Sequence, residues 1–134
     1  MRRSTTTINP QLSRIISELG HYDEVFVTDA GLPIPPGAER VDLAYRKGEP
    51  AFLDVLDTLL NEVVIEGAVM PAEVAEASPH MLQAVRERLA PLGIEVELIP
   101  HVDYKARSQH ARAFVRSGEY TSYANVALIM GVDY

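Results

Sequence analysis

The sequence predicts an α/β fold: one three-layer domain with a mostly parallel sheet and helices on both faces. Three observations lead there. Helical and strand-like patterns alternate along most of the chain. The first strand segment is a continuous apolar run rather than an alternating one, as expected where a sheet is covered on both sides. The length, 134 residues with 47% hydrophobic content, suits a single domain spanning 1–134 with a full core.

The elements follow in order. Asn9-Pro10 reads as an N-cap with proline at the first helical position. Leu12, Ile15, Ile16 and Leu19 recur at helical spacing, and Gly20 is a helix stop. Residues 24–28 read as the first strand. Residues 29–39 read as an ordered loop, because Gly31, Pro33, Pro35, Pro36 and Gly37 break regular structure and limit its freedom. A short strand is expected over 41–44. Gly48-Glu49-Pro50 then opens a helix that buries Phe52, Leu53, Leu56, Leu59 and Leu60. Residues 63–70 form a central strand ended by Pro71. A short helix over 72–77 leads to Ser78-Pro79, a second cap-and-proline start, and a helix carrying Met81, Leu82, Val85 and Leu89 runs to Gly93. Residues 94–99 read as a strand, 102–116 as a helix and 125–132 as a last strand.

Composition excludes several function classes. A net charge of −7 offers no positive field to phosphate, so neither a nucleic-acid nor an anionic-membrane partner is expected, whereas a neutral sugar remains admissible. With no cysteine, there is no disulfide or thiolate chemistry. The opening, Met1-Arg2-Arg3-Ser4-Thr5-Thr6-Thr7, has no apolar core behind it and does not read as a signal peptide. No apolar run reaches the length of about 20 residues that a membrane span needs. A cytoplasmic protein is expected.

The segment from Gly20 to Pro33 gathers the most chemistry: His21, Asp23 and Asp29 around one buried strand, followed by a Gly/Pro turn. Histidine both gives and takes a proton near neutral pH, and strand ends are where α/β proteins hold polar ligands. Of the four histidines, His80 at a helix start and His110 in mid-helix read as solvated surface. His21 and His101 sit at helix–strand junctions, and spacing alone leaves each open between a functional and an ordinary role. Asp29 suits either an Asx-turn or ligand binding. Asp23 suits either orienting His21 or facing water. Lys105 falls one helical turn after His101. Tyr120, Tyr123 and Asn125 offer hydroxyl and amide groups suited to sugar hydroxyls, or make an ordinary polar loop. No phosphate-binding glycine motif, nucleophile elbow or zinc-protease motif is present, and the histidine spacing does not propose a metal.

Taken together, several stretches resemble the D-ribose pyranase (ribose mutarotase) family: Leu19-Gly20-His21-x-Asp23, Asp29-Ala30-Gly31-Leu32-Pro33-Ile34-Pro35, Asn61-Glu62, His101 with Lys105, and Arg116-Ser117-Gly118-Glu119 followed by Tyr123-Ala124-Asn125. Their order and spacing cover the chain from about Ile8 to its end. The resemblance implies an enzyme that interconverts pyranose and furanose forms of D-ribose without metal or organic cofactor. It implies a cytoplasmic homo-oligomer, a decamer of two pentameric rings, with the sugar between subunits. It puts the proton donor on His21 and sugar contacts on Asp29, His101, Tyr123, Ala124 and Asn125, with Lys105 contacting sugar in some members. The related L-fucose mutarotases usually carry an asparagine and an aromatic residue after the Asp-Ala pair; Gly31-Leu32 here favours ribose.

The chemistry expected is ring opening and closure. His21 would carry the proton, Asp29 would accept hydrogen bonds from sugar hydroxyls, and His101 would be a second binding or proton-exchanging group. Tyr123 and Asn125, with the Ala124 backbone, would fix the sugar's orientation. A fucose-type mutarotase and a non-catalytic sugar-binding module are the competing expectations. His21 and Asp29 lie eight positions apart, and an extended strand at about 3.3 Å per residue would separate them by roughly 20 Å or more. Either the turn over Gly20 to Asp23 folds back along the strand, or the two groups in one pocket come from different chains, and the second is the preferred expectation.

Overall fold

The computed structural model describes residues 1–2 and 5–134; Arg3 and Ser4 of the opening stretch lie outside the described residues. The chain order is α1 (Pro10–Glu18), β1 (Glu24–Thr28), β2 (Arg40–Asp42), α2 (Phe52–Leu60), β3 (Ile65–Pro71), α3 (Val74–Ala77), α4 (Pro79–Leu89), β4 (Val96–Ile99), α5 (His101–Ser108), β5 (Ala113–Arg116) and β6 (Val126–Met130). The strands form one sheet in the order β2-β5-β1-β6-β3-β4. Five run parallel; β6 is antiparallel to both of its neighbours, β1 and β3.

Alternation along the strands divides the core. Val25 and Val27 face one side, against α1, α2 and α4 through Leu12, Ile15, Leu56 and Leu82. Phe26, Val69, Phe114 and Ala127 face the other, where α5 brings Tyr104 and the 29–39 loop brings Leu32. Helices on both faces of the sheet, and burial of β1 on both sides, therefore stand as expected.

Local signals explain the element ends. The Asn9 Oδ1 accepts from the Leu12 amide at 2.8 Å, with Pro10 opening α1. Gly93 takes φ +73 after a short 3-10 turn and closes the helical run. Ser78 does stand before Pro79 at the start of α4, but its hydroxyl donates to the Ser122 carbonyl at 2.9 Å and not to its own helix.

Two sequence expectations are corrected. The helix expected over 102–116 ends at Ser108, and residues 113–116 form β5. A four-residue apolar run carries no period of its own; its pairing between β1 and β2 decides its state. His110 therefore lies in the exposed turn after α5 rather than in mid-helix. The helix expected to open at Gly48-Glu49-Pro50 starts instead at Phe52. The residues before it form a tight turn: Gly48 has φ +81, and the Glu49 amide donates to the Arg46 carbonyl. No helix is long and apolar enough to cross a membrane among the described residues.

Candidate functional site

A cavity of about 540 Å³ opens at the end of the sheet where β1 and β5 finish and β6 begins. Its size is typical of small-ligand pockets, and it sits at the carboxyl ends of parallel strands, where α/β sheets hold ligands. Asp29, His101, Arg116, Glu119, Tyr123 and Asn125 contribute to its wall.

Asp29 follows β1 directly. Its Oδ1 accepts from the Gly31 and Leu32 amides at 3.0 and 2.8 Å, closing an Asx-turn that starts the loop. Its Oδ2 accepts from Asn125 Nδ2 at 3.0 Å, and Asn125 Oδ1 accepts the Asp29 amide at 2.9 Å. This reciprocal pair ties the end of β1 to the start of β6. The Asx-turn is therefore present, built on Oδ1 with two amide donors, and Oδ2 keeps a lone pair facing the cavity.

Tyr123 sits at φ +61, a left-handed conformation rare outside glycine. That twist turns its ring edge-on to His101, with centroids 5.2 Å apart. His101 opens α5, and its backbone amide is held by both carboxylate oxygens of Glu73 at 3.0 Å. Its Nδ1 is buried without a partner. Behind it, burial pushes the Tyr104 phenol well up, and the charges of Asp29 and Glu24 push the same way.

Two charged wall residues escaped the sequence reading as site candidates. Arg116 donates from Nε to the Ala30 carbonyl at 3.1 Å, and from Nη1 to both oxygens of Asp42 at 3.0 and 3.1 Å. Glu119 accepts from the Phe52 amide at 3.1 Å and from the Thr121 hydroxyl at 2.8 Å. Desolvation raises the Glu119 pKa, but these hydrogen bonds and that of the Tyr120 amide outweigh it, and the carboxyl ends below its ordinary value. The only signal for either residue was membership of the Arg116-Ser117-Gly118-Glu119 stretch. Arg116 is ion-paired with Asp42, while Asp29 and Glu119 are held by amide and hydroxyl donors, so the cavity offers dense hydrogen bonding with no unpaired cation among the described residues of its wall, which suits an uncharged polyol.

Tyr120 also lines the cavity, whereas the remaining sequence candidates fall outside this wall. Ala124 is buried in the main core, and its amide donates to the Thr121 carbonyl at 3.3 Å. Lys105 is exposed one turn along α5 and does not line the cavity. His80 is exposed, as expected. His21 stands at the opposite end of the sheet, before β1, where its Nε2 lies 2.8 Å from Glu66 Oε2. Asp23 neither orients His21 nor faces water freely: its Oδ2 accepts the Gly20 amide at 2.8 Å and closes the turn. Glu66 had no sequence signal, since a lone carboxylate in a strand reads as a solvated position. Among the described residues, no group of three or more His, Cys, Asp or Glu side chains is placed to hold a metal ion.

Comparison with known proteins follows the same geometry. The model of the RbsD / FucU transport protein family matches residues 2–133. The chain is 45% identical over 127 residues to a D-ribose pyranase of Laribacter hongkongensis, covering 95% of each chain. It is 46% identical over 127 residues to D-ribose pyranase 2 of Streptomyces griseus, again covering 95% of each. Among solved structures, Bacillus subtilis RbsD complexed with D-ribose superposes with a TM-score of 0.93 at 32% identity, covering 100% of both chains. The fucose mutarotase of Streptococcus pneumoniae in complex with L-fucose shares the fold, with a TM-score of 0.85 at 23% identity and 100% coverage of both.

Proposed function

The chain belongs to the RbsD / FucU transport protein family, and from that premise we propose that it is a D-ribose pyranase, interconverting the six- and five-membered ring forms of the free sugar. The observation that carries this reading is 45% identity to a named D-ribose pyranase across 95% of both chains. The hydrogen-bonding cavity around Asp29 supports it, because ribose is an uncharged polyol.

The reaction needs a proton removed from the anomeric hydroxyl and a proton delivered to the ring oxygen as the bond from C1 to that oxygen breaks. The aldehyde then rotates, and either the 4-hydroxyl or the 5-hydroxyl attacks it, with the reverse proton movements. Positioned acid/base groups typically supply about 10² to 10⁴ in rate. In this reading Asp29, His101, Tyr123 and Asn125 hold the hydroxyls and His21 carries the proton. The Ala124 backbone and Lys105, which do not line the cavity, enter this reading only through the family resemblance.

His21 and Asp29 stand at opposite ends of β1, so the proposal includes a second copy of the chain that brings its own His21 to this cavity. A ring-shaped homo-oligomer, two pentamers in a decamer, supplies that arrangement at every site. A cytoplasmic location belongs to the same reading, and fractionation of the native host checks it.

NMR saturation transfer between the anomeric signals of D-ribose, with and without protein, tests the activity. Pyranose–furanose transfer that requires the protein and disappears in His21→Ala is expected. Transfer on L-fucose and none on D-ribose would overturn the sugar assignment, and tight ribose binding with no added transfer would overturn the enzyme.

A further inference from the structure

We propose that Glu66 is a positioning residue for His21, fixing which ring nitrogen carries the proton and which faces the substrate; the inference rests on His21 being the proton carrier proposed above. Three independent features of the fold converge on this pair.

The first is a bulge. Along the β3–β6 ladder Ile65 pairs with Met130 and Gly67 with Ile129, so Glu66 is an extra residue with no partner of its own. Bulges re-aim side chains and recur beside functional sites. Here the extra residue is the one that reaches His21, at 2.8 Å. The strand packs closely after it: a Cβ at Gly67 would lie 3.0 Å from the end of the Ile129 side chain, which would have to shift.

The second is the turn that presents the imidazole. Tyr22 takes φ +72, and its ring stacks on His21 with centroids 3.6 Å apart. The turn is closed by the Gly20 amide on Asp23 Oδ2 at 2.8 Å and by the Asp23 amide on the Gly20 carbonyl at 3.1 Å. A left-handed, non-glycine residue persists only where its surroundings over-determine it, and such residues gather at functional sites.

The third is the strand between them. Met130 of β6 accepts the Tyr22 amide at 3.0 Å and donates to the Asp23 carbonyl at 2.9 Å, while pairing with Ile65 on its other side. The turn and the bulge are thus locked to the same residue from opposite sides.

The pair does not serve stability. Both side chains are exposed, His21 at 36% and Glu66 at 41%, and exposed ion pairs contribute little. What a carboxylate on one imidazole nitrogen does is select the tautomer. With Nε2–H donated to Glu66, Nδ1 carries the lone pair and is the atom left to take the substrate proton. Asp23 is turned onto Gly20 and Tyr22 covers one ring face, so Glu66 is the carboxylate engaged with the ring.

The test uses protein labelled with ¹⁵N-histidine. A two-bond ¹H–¹⁵N spectrum should give His21 as the Nε2–H tautomer in the parent and a mixture in Glu66→Ala, with Glu66→Gln between them because its amide oxygen still accepts. On D-ribose, Glu66→Ala should lower kcat by about 10- to 100-fold, the range seen when the partner of a functional histidine is lost, leave KM within about twofold, and melt at the parent temperature. An unchanged His21 tautomer, or a parent-like kcat in Glu66→Ala, would overturn the proposal. Absence of ribose exchange in the parent would instead remove the sugar reading, and the tautomer spectrum would still decide whether Glu66 sets the state of His21.

Discussion

Asn125 is 1% exposed, and each amide atom of its side chain makes one hydrogen bond to Asp29. Replacing it with alanine leaves the Asp29 amide without its acceptor and frees the carboxylate from its second anchor. Loss of such a partner costs about 1–3 kcal/mol, to be read in urea unfolding, and ribose KM should rise together with it. Tyr104 predicts the opposite sign. Its hydroxyl is buried with no hydrogen-bond partner, so Tyr104→Phe removes an unsatisfied group and keeps the ring against Phe26. A gain of up to about 1 kcal/mol is expected in the same assay. At this scale the sequence reading found Asp29, His101, Tyr123 and Asn125 by residue type and strand-end position, and the cavity contains all four. Glu66 was illegible and Glu119 legible only as part of the Arg116-Ser117-Gly118-Glu119 stretch, because what distinguishes them is a bulge and a set of hydrogen bonds that the folded loop supplies.

Among the elements, the segment joining β5 to β6 is held most tightly at Gly118. A Cβ there would lie 2.4 Å from the Glu49 carbonyl oxygen and 2.7 Å from that of Arg46, both backbone atoms that cannot swing away. Gly118→Ala should therefore displace the 46–50 turn and cost about 1–3 kcal/mol, as overpacking does. Arg116 and Glu119 flank this position, so ribose exchange should fall with stability. Helices and the β1 strand were legible because caps, prolines and apolar spacing act locally. Residues 113–116 were not, because four apolar residues become a strand only when β1 and β2 accept them on either side.

For the whole molecule, acid should be the first stress felt. The Glu18, Glu39, Glu49 and Glu119 carboxyls all lie below their ordinary value of 4.5. A group whose pKa is depressed by folding stabilises the folded state fully above its unfolded value and loses that contribution as pH falls through the folded one. The melting temperature should hold from neutral pH to about 5 and then decline, and Glu119→Gln should flatten part of the decline. Assembly gives a second prediction at this scale. His21→Ala and Asp29→Ala proteins, each inactive alone, should recover exchange when unfolded together and refolded as mixed oligomers. No recovery, with mixed oligomers verified by mass, would place both groups of each site in one chain.

The antiparallel strand β6 comes late in the sequence yet lies in the middle of the sheet, between β1 and β3. During synthesis, the β2-β5-β1 and β3-β4 portions emerge from the ribosome with facing edges that only β6 can join. A nascent chain with neither Asn125 nor β6 free of the ribosome would lack the strand that joins the two portions and the Asn125–Asp29 clasp. Acquisition of the fold and completion of the cavity should then be one event, once β6 is free to pair, and ribosome-arrested chains of increasing length should gain protease resistance in a single step.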